Sequence, residues 1–129
     1  MTTDLWMLVA TAVLSMLAPT IYLSGRIQTP GGVEWAFGNR DRDLDVPAYA
    51  ARAQRAHGNL TENLAGFAIL VLVAHVAGKA NHLTALGAEM FFAARVAHLL
   101  VYTAGITMVR TAVFFLGTAG EVLILSQLF

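Results

Sequence analysis

Residues 45–78 read DVPAYAARAQRAHGNLTENLAGFAILVLVAHVAG, and the fold follows from how this stretch is read. Asp45-Val46-Pro47 sets a side-chain acceptor just ahead of a proline, a combination that opens helices. From there the pattern predicts one helix over about 46–78. A hydrocarbon core of about 30 Å is crossed by about 20 mostly apolar residues at a rise of about 1.5 Å each. The helix is therefore longer than a bilayer requires, and its first turns, with Arg52, Arg55 and His57, should project from the membrane.

Three further segments are apolar enough to span: about 5–24, 84–105 and 111–128. The first is expected to be a retained helix, because Met1-Thr2-Thr3-Asp4 has no basic n-region and the apolar run outlasts a usual signal-peptide core. Pro19 removes one backbone hydrogen bond and should kink its last turn. Residues 25–45 form the one long polar loop, with the turn-forming strings Thr29-Pro30-Gly31-Gly32 and Gly38-Asn39-Arg40-Asp41. A turn around Lys79, Asn81 and His82 and another after Gly105 are short enough to make the helices they join antiparallel neighbours. The expected architecture is all-α, a four-helix transmembrane bundle forming a single domain over 1–129.

Composition agrees: 57% of the chain is hydrophobic and 12% charged, where soluble domains carry about a quarter charged residues. Mean hydropathy is +0.65. Net charge is zero without blocks of one sign, which argues against nucleic acid as a partner. There is no cysteine, so disulfides, thiolate nucleophiles and cysteine-ligated metals are excluded, and any thiol in a reaction must come from a ligand. His57, His75, His82 and His98 lack the close helical pairing of a metal site, and no metal is expected. Arg26, Arg40, Arg42, Arg52, Arg55 and Arg110 gather at one end of the bundle and only Lys79 at the other. By the positive-inside rule the long loop should be cytoplasmic and both termini non-cytoplasmic.

Ionisable side chains within spans cost about 2.5–3.5 kcal/mol each on insertion scales, so each one needs a reason. Glu62, Glu89, Arg95, His98 and Glu121 are such residues. Arg52, Arg55, Asn59 and Glu62 recur at helical spacing along one stripe, and Arg95, His98 and Tyr102 share a face of the next helix. One reading is structural: Glu62 and Arg95 neutralise each other, with Asn59 and His98 as interhelical hydrogen-bond glue. The other is a cleft for a small zwitterionic or anionic ligand, its carboxylates gripped by arginines and its amine by Glu62. Glu121 reads as a carboxylate paired across the bundle or as a proton carrier. Trp6 and Trp35 read as interfacial anchors, and Gly87, Gly117 and Gly120 as points of close helix approach.

The strings Arg55-Ala56-His57-Gly58-Asn59-Leu60-Thr61-Glu62 and Arg95-Val96-Ala97-His98, continued by Tyr102 and Arg110, resemble the motifs of the MAPEG family, membrane-associated proteins in eicosanoid and glutathione metabolism. The Gly38-Asn39-Arg40 loop is similar to its bacterial branch, which implies a bacterial inner membrane. The resemblance implies a homotrimer in contact with membrane lipid, with glutathione as cosubstrate bound between subunits near the cytoplasmic face. Arg52, Arg55, Asn59, Glu62, Arg95, His98 and Tyr102 would then hold glutathione, and Arg110 with Thr111 would be catalytic, stabilising its thiolate for attack on an apolar electrophile or lipid hydroperoxide. Departures from the family pattern are Gly58 and Gln28, where some members have basic residues, and Phe114, where some have tyrosine. They leave a second function open, a noncatalytic lipid-binding or partner-binding membrane protein. A proton-coupled carrier using Glu62, His98 and Glu121 ranks last, because no span is broken.

Overall fold

Pro19 has no N–H to give to the turn before it, and the first apolar segment divides there. In the computed structural model, which describes residues 1–129, α1 is Thr3–Leu17 and α2 is Pro19–Ile27. Together they make one span, Thr3–Ile27, interrupted at Ala18 with all nine residues of α2 beyond the break. The break thus lies well inside the segment rather than in its last turn. α3 is Gly32–Phe37, α4 Ala48–Val76, α5 His82–Ala104 and α6 Thr107–Ser126. No strand is present, and four helical segments are long and apolar enough to cross a membrane.

The loop of 25–45 is more ordered than its turn-rich composition suggests, because it contains α3. Gly31, at φ 75°, reverses the chain, and Gly32 lets the new helix start directly against the Arg26 carbonyl, where a side chain would collide. Trp35 then stacks between the Arg26 and Arg40 guanidiniums, at 4.8 and 5.3 Å from its ring centre, and donates Nε1–H to the Arg42 carbonyl at 2.6 Å. Trp35 is therefore a loop staple. The exposed aromatic on α3 is Phe37 instead.

α5 opens on a complete capping box, Asn81 accepting from the Leu83 and Thr84 amides while Thr84 Oγ1 accepts from the Asn81 amide. The start of α1 is tied to this turn, for Asp4 is buried and accepts from Thr84 Oγ1 at 3.3 Å. At its other end α5 stops on Gly105, left-handed at φ 87°, and only Gly105 and Ile106 separate it from α6. The resulting hairpin packs at van der Waals limits: a Cβ on Gly87 would stand 2.6 Å from the Gly120 carbonyl, and one on Gly120 would stand 2.5 Å from that of Gly87.

The core lies between α4 and this hairpin. Phe67 and Phe91 stack with ring centres 4.0 Å apart, surrounded by Val71, Ala74, Ala88 and Ile124. Outside it, Ile69, Leu72, Val76, Leu100 and Phe115 are exposed, as apolar surface facing hydrocarbon would be. A second, smaller cluster of Ala18, Ala56 and Leu99 joins the break in the first span to α4 and α5. His57 completes that junction, its Nδ1 3.2 Å from the Tyr22 hydroxyl and its Nε2 3.4 Å from Ser15 Oγ, one partner on each side of Pro19.

Candidate functional site

The α5 to α6 turn brings three chain segments together at one end of the bundle: the first turns of α4, the last turns of α5 and the first turns of α6. Two neighbouring cavities open there. The outer one, about 340 Å³, is lined by Arg52, Arg55, Tyr102, Gly105, Ile106, Thr107 and Arg110. The inner one, about 270 Å³, is lined by Asn59, His98, Tyr102, Arg110, Thr111, Phe114 and Phe115. Tyr102 and Arg110 form the wall they share, with the guanidinium carbon 4.7 Å from the centre of the phenol ring.

The α4 stripe reaches this cleft because its residues lie three or four apart and so point the same way. Arg52 spends Nε on the Thr103 carbonyl at 2.9 Å, capping the C-terminal end of α5 with a positive charge. Gly105 is part of this fit, since a Cβ there would approach the Arg52 guanidinium to 3.3 Å. Arg55 and Arg110 make no hydrogen bond within the chain, so their donors stay available at the outer cavity. Thr111 faces the inner cavity but directs its hydroxyl to the Thr107 carbonyl at 3.4 Å, a long bond that is easily exchanged for another acceptor. His98 is buried edge-on against Tyr102, ring centres 5.4 Å apart, with Phe114 at 6.4 Å.

Of the nine residues singled out from the sequence, Arg52, Arg55, Asn59, His98, Tyr102, Arg110 and Thr111 line the two cavities. Glu62 and Arg95 do not. Glu62 is exposed on the outer surface of α4, one turn beyond Asn59. Arg95 is 1% exposed, and its one hydrogen bond runs from Nη1 to Asn59 Oδ1 at 3.0 Å. The ion pair between Glu62 and Arg95 is accordingly not formed, and the interhelical link is made through the asparagine. Arg95 instead packs over Phe91 and Phe114, at 4.7 and 5.3 Å, and Gly117 leaves it room, because a Cβ there would lie 2.7 Å from Nη2.

Ile106, Thr107 and Phe115 line the cleft and had no signal as single residues. Their position follows from the Gly105 turn, which folds the start of α6 back over Tyr102. No group of three or more histidine, cysteine or acidic side chains is arranged to hold a metal ion.

Four membrane-length helices, with an arginine-rich cleft where α4, α5 and α6 meet, define an all-α integral membrane protein. The MAPEG family model matches residues 5–129, and the chain belongs to the MAPEG family. No curated protein and no solved structure matches it significantly. Membership places the protein among membrane proteins of glutathione-related and lipid metabolism.

Proposed function

We propose that this protein is a glutathione-dependent membrane transferase or peroxidase that acts on apolar electrophiles or lipid hydroperoxides. The observation that carries the reading is the pair Arg55 and Arg110, whose guanidiniums border one cavity with no hydrogen-bond partner inside the chain. Arg55 suits a carboxylate of glutathione and Arg110 its thiolate, because guanidinium binds carboxylate bidentately and is always charged. A free thiol has a pKa of about 8.5, and each unit by which a neighbouring cation lowers it corresponds to about 1.4 kcal/mol. Arg110 supplies that cation at the wall between the cavities, and Thr111 adds a hydroxyl donor once it leaves the Thr107 carbonyl. The inner cavity, with Phe114 and Phe115, is where an apolar acceptor arriving from the bilayer would meet the sulfur. The thiolate is itself the nucleophile, so the missing cysteine is no obstacle.

Glu62 fits this scheme in a homotrimer. Exposed on its own chain within an apolar span, it would be covered by a second copy and would help to close a glutathione site between subunits. With the arginine-rich end cytoplasmic and both termini on the other side, ligand would enter from the cytoplasm, and a bacterial inner membrane is the setting we assign. Purified protein titrated with glutathione should show saturable heat at millimolar ligand or below, weakened in Glu62→Gln. Conjugation or hydroperoxide reduction should depend on glutathione and fall at least tenfold in Arg110→Ala. Absence of any binding heat in the wild type would sink the proposal.

A specific observation favours a noncatalytic alternative, lipid or partner binding. Gly58 faces open space and leaves the stripe short of one cation, while two phenylalanines make the inner cavity greasy. Lipid retention through purification without glutathione-dependent turnover would support that alternative.

A further inference from the structure

We infer that Arg95 is a positioning residue, which fixes the side-chain amide of Asn59 so that the cleft presents a hydrogen-bond donor, never an acceptor, at that point. The inference rests on the thiol-ligand reading above and adds the polarity of one contact. Guanidinium only donates, so the asparagine atom 3.0 Å from Arg95 Nη1 is Oδ1. The other end of the amide, Nδ2 with its two N–H groups, has no partner within the chain and belongs to a residue that lines the inner cavity. An unconstrained asparagine offers either end to a ligand. This one offers only N–H.

The guanidinium is itself held in place. Phe91 and Phe114 flank it, and Gly117 gives it room. Nε and Nη2 have no partner in the chain, so Nη1 alone transmits its orientation to the cleft. The ligand group opposite Asn59 must therefore be an acceptor, such as a thiolate, a carboxylate oxygen or a peptide carbonyl. A ligand ammonium, which can only donate, would face two N–H groups and be rejected, since a buried donor left unmatched is costly.

Two variants separate this role from simple packing. Asn59→Asp strengthens the link to Arg95 but replaces the donor with an acceptor. It should keep or raise the thermal midpoint while glutathione affinity drops at least tenfold. Arg95→Gln offers Asn59 both a donor and an acceptor and so frees the amide to flip. Its glutathione Kd should rise several-fold, and Arg95→Lys, which again only donates, should return it to within about twofold of wild type.

A readout without ligand uses protein labelled with 15N-asparagine, whose four asparagines are Asn39, Asn59, Asn63 and Asn81. The Asn59 side chain should give one pair of NH2 signals in wild type and in Arg95→Lys, and a doubled or exchange-broadened pair in Arg95→Gln. Wild-type affinity in Asn59→Asp, or a single unbroadened NH2 pair in folded Arg95→Gln, would overturn the inference. If wild type binds no glutathione while the NMR pattern is as expected, the thiol reading fails and the positioning role stands.

Discussion

Gly117 and Gly58 show how differently one residue type is used along this chain. A Cβ on Gly117 would meet Arg95 Nη2 at 2.7 Å, whereas one on Gly58 would meet nothing within 4 Å. Gly117→Ala should consequently destabilise the protein by about 1–3 kcal/mol, as overpacked cores do, and also displace the Asn59 contact. Gly58→Ala should be neutral or stabilising by up to about 1 kcal/mol, because alanine is the better helix former. Thermal or denaturant unfolding in detergent measures both, and equal losses would show that the Arg95 seat has been misassigned. At this scale the sequence was informative about which residues matter and less so about what each one touches. The stripes on two helices were legible from periodicity. That Arg95 bonds to Asn59 and leaves Glu62 exposed depends on the rotation of α5 against α4, and rotation is set by the packing of Phe67 on Phe91 and by small-residue contacts that no spacing rule encodes.

Among the elements, the spans were legible because each is an apolar run long enough for a bilayer, while their edges and the loop helix were not. α3 is six residues, too short for periodicity to register, and exists because Trp35 is held by two arginines and Gly32 tolerates backbone contact. The interruption at Pro19 was readable from its chemistry, and what differs is the end of the span, which continues through Ile27 rather than stopping near residue 24. The pair most exposed to a test is α5 and α6. Gly87→Leu or Gly120→Leu would drive a side chain into the facing carbonyl and part the hairpin, and the cost should exceed that of Gly117→Ala. Because the hairpin carries His98, Tyr102, Arg110 and Thr111, ligand binding should weaken along with stability, which calorimetry on the folded fraction measures.

For the whole molecule, the distribution of charge is the guide. Glu62 and Glu89 lie exposed on spanning helices, and a carboxylate facing lipid is costly, so further copies of the chain should cover at least the first of them. Native mass spectrometry of detergent-extracted protein should then give three chains, and Glu62→Lys should shift the population toward monomer. A monomeric wild type would contradict the proposed site between subunits. Composition alone indicated a membrane bundle, but a single chain's surface is where that indication ends, because exposed apolar side chains look alike whether lipid or another subunit meets them.

The connection through Gly105 and Ile106 also fixes distances within the cleft. With two residues between them, α5 and α6 have no slack by which to slide along one another. Arg110 and Thr111 fall in the first five residues of α6, and Tyr102 and Thr103 in the last three of α5. The turn therefore acts as a ruler: its length, as much as the residues on either side, holds the Arg110 guanidinium against the Tyr102 ring and keeps the Thr103 carbonyl within reach of Arg52.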